Sequence, residues 1–253
     1  MKVTINDIAK MANVSKTSVS RVINNKPDGV SKETRERILK TIEEQNFKPS
    51  VIARSLTTKK TKSIGLIIPD ITNPFFPLLV RGVEDYANKY GYQTFLCNTD
   101  RSADKERDYL NALVEKSVDG IILTSNISEA DLQYKLLKQN NVPCVLMDRH
   151  VEYKDYEAGV YLNNIAGTHM ATDFLLNQGH RKIVFIAGPL SVTTSVDRLK
   201  GYEMAHQERN MKVDRGLIAE GDYLINSGYE LVNKLIDEGK KFTAVVAGND
   251  MLA

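Results

Sequence analysis

A chain of 253 residues with 42% hydrophobic content is long enough for two domains and can bury a substantial core. It holds no apolar run of membrane-span length, and its first residues, MKVTINDIAK, lack the apolar stretch of a secretory signal, which implies the cytoplasm. The net charge of +2 conceals an asymmetry: residues 1–62 carry fourteen Lys or Arg against six Asp or Glu, and the remainder twenty against twenty-six, so one end suits a polyanion and the rest does not.

Residues 4–24, TINDIAKMANVSKTSVSRVIN, hold two short helical patterns back to back. In the first, Thr4 is placed as an N-cap with Asp7 three positions on, and Ile5, Ile8, Ala9 and Ala12 fall on one face. Asn13 tolerates the left-handed conformation of a tight turn. In the second, Ser15 is the N-cap and Val19, Val22 and Ile23 are the apolar side, leaving Lys16, Thr17, Ser20, Arg21 and Asn24 opposite. This is a helix-turn-helix, whose second helix can enter a DNA major groove. The alternative is an ordinary helical subdomain with a solvated polar face; the clustered cations argue against it.

The turn NKPDG leads to a third helix, capped by Ser31 and ending near Asn46, with Ile38, Leu39 and Ile42 facing inward and Phe47 closing a three-helix core. Lys32, Arg35, Arg37 and Lys40 are either phosphate contacts or a solvated face. After Pro49, Ser50 can cap a very short helix with Val51, Ile52, Ala53 and Leu56, which needs a partner or DNA to fold. The basic TTKKTKS beyond it is a linker by composition, with a domain boundary near residue 62.

From Ile64 short apolar runs at 64–68, 93–97, 120–124, 144–147, 183–187 and 244–247 alternate with helical patterns at 78–90, 105–116, 130–140, 167–178, 196–209 and 227–238. Such alternation predicts an α/β core of parallel sheets covered by helices. Ligands bind such sheets beyond the carboxyl ends of the strands. Those ends carry Asp70, Asn73, Phe75 and Phe76; Asn98 and Asp100; Asp148 and Arg149; Thr194 and Arg198; Asn249 and Asp250. Aromatic faces beside amides, carboxylates and arginines suit a sugar. The competing reading makes the phenylalanines core, Asn73-Pro74 a turn and Asp148-Arg149 a surface ion pair. Cys97 and Cys144 lie in strand-like runs and read as core residues, and His150, His169, His180 and His206 lack metal-site spacing. No dinucleotide, nucleotide-phosphate or nucleophile-elbow motif is present, so neither a cofactor nor an enzymatic activity is indicated.

The runs TINDIAKMANVSKTSVSRVIN, VSKETRERI, ARSLTTKKTKSIGLIIPDITNPFF, VDGIIL, GHRKIVFIAGP, RLKGY and GND together resemble the lactose-repressor family of bacterial transcription regulators, from Ile5 to the end of the chain. The resemblance implies a helix-turn-helix headpiece over 1–48, a hinge helix and linker over 49–62, and a two-lobed core like periplasmic sugar-binding proteins. Its N-terminal lobe would span 63–162 and its C-terminal lobe 163–253. It implies a homodimer or tetramer on a palindromic operator, controlled by a small effector between the lobes. Carried over by position, Lys16, Thr17 and Arg21 read bases, while Thr4, Ser15, Ser18, Ser20 and Asn24 make phosphate or supporting contacts. Ile52, Ala53, Arg54 and Leu56 match the hinge helix, with Leu56 as a minor-groove wedge. Asn73, Phe75, Phe76, Asp100, Arg149, Thr194, Arg198 and Asn249 are the expected effector contacts. Ribose-type repressors are the nearest in flavour; a catabolite-control regulator using a phosphorylated carrier protein and a purine-responsive repressor are the alternatives. Family members continue past the position of Ala253, so part of the second lobe is expected to be missing from this sequence.

Overall fold

The computed structural model describes residues 3–26, 28–48, 60–125, 130–150 and 158–253, with the backbone alone for 130–134. The chain divides into two compact units, Met1–Thr61 and Lys62–Ala253. The hinge residues Ser50, Ile52, Ala53, Arg54 and Leu56 named above lie outside the described residues.

In the first unit α1 (Ile5–Met11), α2 (Lys16–Ile23) and α3 (Lys32–Glu44) pack around Ile8, Ala9, Ala12, Val19, Val22 and Ile38. Each start is capped by the hydroxyl in the expected place: Thr4 in a capping box with Asp7, Ser15 on the Ser18 amide, Ser31 on the Thr34 amide. Asn13 turns the chain between α1 and α2 at φ 50°. One inward assignment is corrected. Leu39 is 49% exposed, while Ile38 is fully buried and Ile42 packs beside it. Positions 38 and 42 lie one helical turn apart on the same face, and 39 is rotated about 100° away from 38. Two of the α3 cations brace the fold: Arg37 Nε donates to the Ala12 carbonyl at 3.0 Å, and Arg35 Nη2 to the Lys26 carbonyl at 2.5 Å.

The second unit holds two parallel sheets. The first comprises β1 (Ser63–Ile68), β2 (Gln93–Asn98), β3 (Gly120–Leu123), β4 (Cys144–Met147) and β5 (Gly159–Val160) in the order β2-β1-β3-β4-β5. Between them run α4 (Phe75–Lys89), α5 (Ala103–Glu115) and α6 (Ala130–Gln139). After α7 (Asn164–Asn177) comes the second sheet, with β6 (Ile183–Ala187), β7 (Ile218–Glu220) and β8 (Ala244–Ala247) in the order β7-β6-β8. Helices α8 (Thr193–Gln207) and α9 (Ile225–Asp237) complete it. All strand pairs are parallel, in agreement with the β–α alternation. The apolar runs of β1 and β6 are buried on both faces, as strands covered by helices on both sides must be.

Every helix of this unit except α6 begins two or three residues earlier than hydrophobic periodicity alone predicts. The first turns are polar or irregular and are held by local bonds. Asn73 Oδ1 accepts from the Phe75 amide at 3.1 Å, Ser102 caps the Lys105 amide, and Asn163 caps the Ala166 amide. These early starts place Phe75, Phe76 and Thr194 inside helical first turns, at the carboxyl ends of the strands. Cys97 is buried and Cys144 half-buried, both as free thiols; burial pushes the Cys144 thiol up to about 12. Among the described residues no helix is long and apolar enough to cross a membrane.

Candidate DNA interface and ligand cleft

Helix α2 buries Val19 and Val22 and turns Lys16, Thr17, Arg21 and Asn24 outward. Several residues on or near this face already have local duties. Ser15 Oγ accepts from the Ser18 amide at 3.1 Å and lies 3.0 Å from Ser18 Oγ. Asn24 Nδ2 donates to the Ser20 carbonyl at 2.8 Å and reaches Ser20 Oγ at 3.4 Å. Thr4 Oγ1 donates to Asp7 at 2.6 Å, and this bond, with that from the Thr4 amide, holds the Asp7 carboxyl below its usual range. Arg21 Nη1 donates to the Asp28 carbonyl at 3.1 Å, resting against Gly29, whose φ of +83° and missing Cβ leave the guanidinium room. Lys16 and Thr17 are exposed, with no side-chain hydrogen bond among the described residues. The face therefore offers two long cations and a hydroxyl on a capped and packed helix.

In the second unit, the ends of β1, β4, β6 and β8 meet around a cleft of about 370 Å³, within the range of small-molecule sites. Asn73, Phe75, Phe76, Arg149, Thr194, Arg198 and Asn249 all line it, joined by Asp148 and Asp250. Phe76 is 3% exposed and belongs to the core with Leu66 and Ile68, while Phe75 stands edge-on to it, ring centroids 5.1 Å apart, and remains 39% exposed. The core and the cleft readings of the phenylalanines thus both hold, one ring anchoring and the other presenting a face.

Asp148 and Arg149 are not a surface ion pair: both are 7% exposed, with Arg149 Nε 4.0 Å from Asp148 Oδ2. Asp148, at φ 65°, leaves Oδ1 buried without a hydrogen-bond partner among the described residues. Burial raises its pKa above the ordinary value, against the pull of Arg149 and then Arg198. Arg198 is tied by Nε to Asn164 Oδ1 at 2.8 Å and by Nη1 to the Gly248 carbonyl at 2.7 Å. A buried acceptor beside two guanidinium groups and an aromatic face can hold a neutral polyol, whose hydroxyls both donate and accept.

Asp100, an expected contact, is not among the residues that line this cleft: it lies beyond β2, an edge strand. Its exposed carboxylate pairs with Lys105 and accepts from Asn98 Nδ2 at 2.6 Å. Its neighbour Arg101 does span the two lobes. Nη2 is 2.7 Å from Asp70 Oδ2 and Nη1 donates to the Asp222 carbonyl at 2.6 Å. Burial raises the Asp70 pKa, but hydrogen bonds from Thr72 and Arg101 outweigh it and leave the carboxyl below its usual range. A second bond across the lobes runs from Thr193 Oγ1 to the His150 carbonyl at 3.1 Å.

Residues 61–253 match the family of periplasmic binding proteins and sugar binding domain of LacI family, and residues 4–50 match the bacterial regulatory proteins of the lacI family. The chain belongs to the LacI family. It is a DNA-binding transcription regulator and not an enzyme. It is 42% identical over 250 residues to a ribose operon repressor of Halalkalibacterium halodurans, spanning 99% of this chain and 72% of that protein. It is 40% identical to catabolite control protein A of Priestia megaterium, over 100% of this chain and 76% of that one. The crystal structure of the lac repressor dimer bound to operator and the anti-inducer ONPF superposes with a TM-score of 0.86 at 26% identity, covering 100% of this chain and 76% of that chain.

Among the cleft residues that the strand ends do not predict, which include Leu78 and Met251, this LacI-family regulator has Tyr223, 8% exposed. Tyr223 follows β7, a three-residue strand too short to register as an apolar run, so its sequence marks no strand end there. The local signal was the aromatic in GDYLIN directly before a helical pattern.

Proposed function

We propose that this regulator represses a sugar-utilisation operon by binding a palindromic operator as a homodimer, and that its effector is a pentose of the ribose type held in the cleft. The observation that carries the sugar reading is a cleft lined together by Asp148, whose buried Oδ1 has no partner among the described residues, by Arg149 and Arg198, and by the half-exposed ring of Phe75. A hydroxyl donor satisfies that oxygen, and the arginines donate to neighbouring hydroxyls. The 42% identity to a ribose operon repressor supports the same class. Acting on chromosomal operators places the protein in the cytoplasm. The 40% identity to catabolite control protein A favours a second reading, in which a phosphorylated carrier protein is the corepressor. A thermal-shift screen of aldopentoses set beside capture of that carrier by the purified regulator separates the two. Stabilisation by D-ribose with no capture supports the sugar sensor; capture without any sugar response overturns it.

On the DNA side, Lys16, Thr17 and Arg21 are the proposed base readers. Arg21→Ala is expected to weaken binding to a duplex selected from random sequence by about tenfold to a hundredfold, with preference lost at one base pair. A uniform loss across all duplexes, with a shallower salt slope, would make Arg21 a phosphate contact instead.

Effector affinity should also depend on pH. Burial raises Asp148 above its ordinary 3.8, so in acid it is protonated and its oxygen is a poorer acceptor for a sugar hydroxyl. The free protein therefore takes up a proton that binding must release. Calorimetric affinity for D-ribose should fall as pH drops toward the Asp148 pKa and level off above it; an affinity that rises in acid contradicts the proposed contact.

A further inference from the structure

Tyr223 occupies the loop between β7 and α9 at φ 66°, a conformation that costs a bulky residue energy and persists where surroundings enforce it. Its ring fills the space over Gly188, where an added Cβ would come within 2.0 Å of the ring. The hydroxyl lies 2.6 Å from Ser195 Oγ and 3.3 Å from Arg198 Nη1. A guanidinium can only donate, so the phenol oxygen accepts from Arg198, and in the pair with Ser195 Oγ either hydroxyl can be the donor. Ser195 is fully buried in the first turn of α8, three residues before Arg198 and on the same side of that helix. With Nε on Asn164 and the second Nη1 hydrogen on Gly248, three of the five Arg198 donors are used by the chain. The two on Nη2 have no partner among the described residues.

We infer that Tyr223 and Ser195 are positioning residues: their paired hydroxyls hold Arg198 so that Nη2 offers two donors into the cleft that Asp148 also lines. Two donors and one acceptor in the same cleft match a vicinal diol better than an isolated hydroxyl, so this hold sets selectivity among sugars. The choice of ligand class rests on the sugar reading above; the hold on Arg198 does not. A phenylalanine at 223 would keep the ring over Gly188 and its face to the cleft, and lose only the anchor.

Two measurements on Tyr223→Phe and Ser195→Ala in the whole chain test this. In crystals grown without ligand, the Tyr223→Phe protein should show the Arg198 guanidinium displaced from the Gly248 carbonyl. In titrations with D-ribose and 2-deoxy-D-ribose, the preference of the unaltered protein for the full diol should shrink by about tenfold, with Ser195→Ala moving the same way. A purely packing role would weaken both sugars equally and leave the ratio unchanged, which overturns the proposal, as does an Arg198 that stays in place. If Arg198 moves but neither protein binds an aldopentose, the positioning role stands and the sugar reading of the cleft is the part that fails.

Discussion

An Ile38→Ala variant is expected to lose sequence-specific DNA binding while its second unit still melts cooperatively and still responds to effector. Ile38 is fully buried at the centre of the three-helix cluster, touching the face formed by Ile8, Ala12, Val19 and Val22. Truncating a buried isoleucine costs about 2–5 kcal/mol through lost transfer energy and the cavity left behind. A core as small as this one rarely supplies more than about 3–5 kcal/mol in total, so the loss is comparable to the stability of the whole headpiece. The neighbouring Leu39→Ala is the control: that side chain is 49% exposed and its truncation should cost no more than about 0.5 kcal/mol. Far-ultraviolet dichroism and binding to a selected duplex check both. Equal effects of the two substitutions would mean that the buried face of α3 has been assigned wrongly.

That pair also shows where sequence reasoning stops. Ile38 and Leu39 are equally apolar, and only the packing of α3 against α1 and α2 separates them. The headpiece was otherwise legible because its caps are chemical: Thr4, Ser15 and Ser31 each have a hydroxyl that satisfies an amide three residues on. In the α/β unit the long apolar strands were legible for the same kind of reason, since β1 and β6 have no polar face to interrupt them. What periodicity missed were short edge elements. β5 has two residues and β7 three, and pairing with β4 and β6, not their own composition, makes them strands.

The cleft follows the same division. Phe75, Phe76, Arg149, Thr194, Arg198 and Asn249 come together because each follows a long, recognisable strand or opens a helix after one. Asp100 satisfies the same rule but lies outside the cleft lining, because β2 is at the sheet edge, away from where the order of strands reverses. Tyr223 broke the rule in the other direction, standing after a strand that has no independent signature. The bond from Arg101 to the Asp222 carbonyl, which joins residues 121 positions apart, depends on two successive left-handed residues, Asp100 at 50° and Arg101 at 62°, that no spacing argument reveals.

The second large effect is expected from Arg149→Ala. Arg149 is the first of the charges that oppose the rise in the Asp148 pKa, and both side chains are 7% exposed. Removing one partner of a buried pair leaves the other charge undercompensated, here with Arg198 alone opposing it, which costs up to about 3–5 kcal/mol, whereas the intact pair adds little net stability. The sign of the pH dependence follows from the carboxyl. With Arg149 gone, the folded-state pKa of Asp148 rises further above its unfolded value, so stability is fully present in acid and is lost as pH rises through the folded pKa. The melting temperature of the second unit should therefore drop most at neutral pH and approach that of the unaltered protein as pH is lowered. Adding Asp148→Asn to the variant removes the charge and should recover much of the loss at neutral pH without restoring effector binding. A deficit that is the same at every pH, or that Asp148→Asn leaves untouched, would place the role of Arg149 in packing and remove its charge from the account of the cleft.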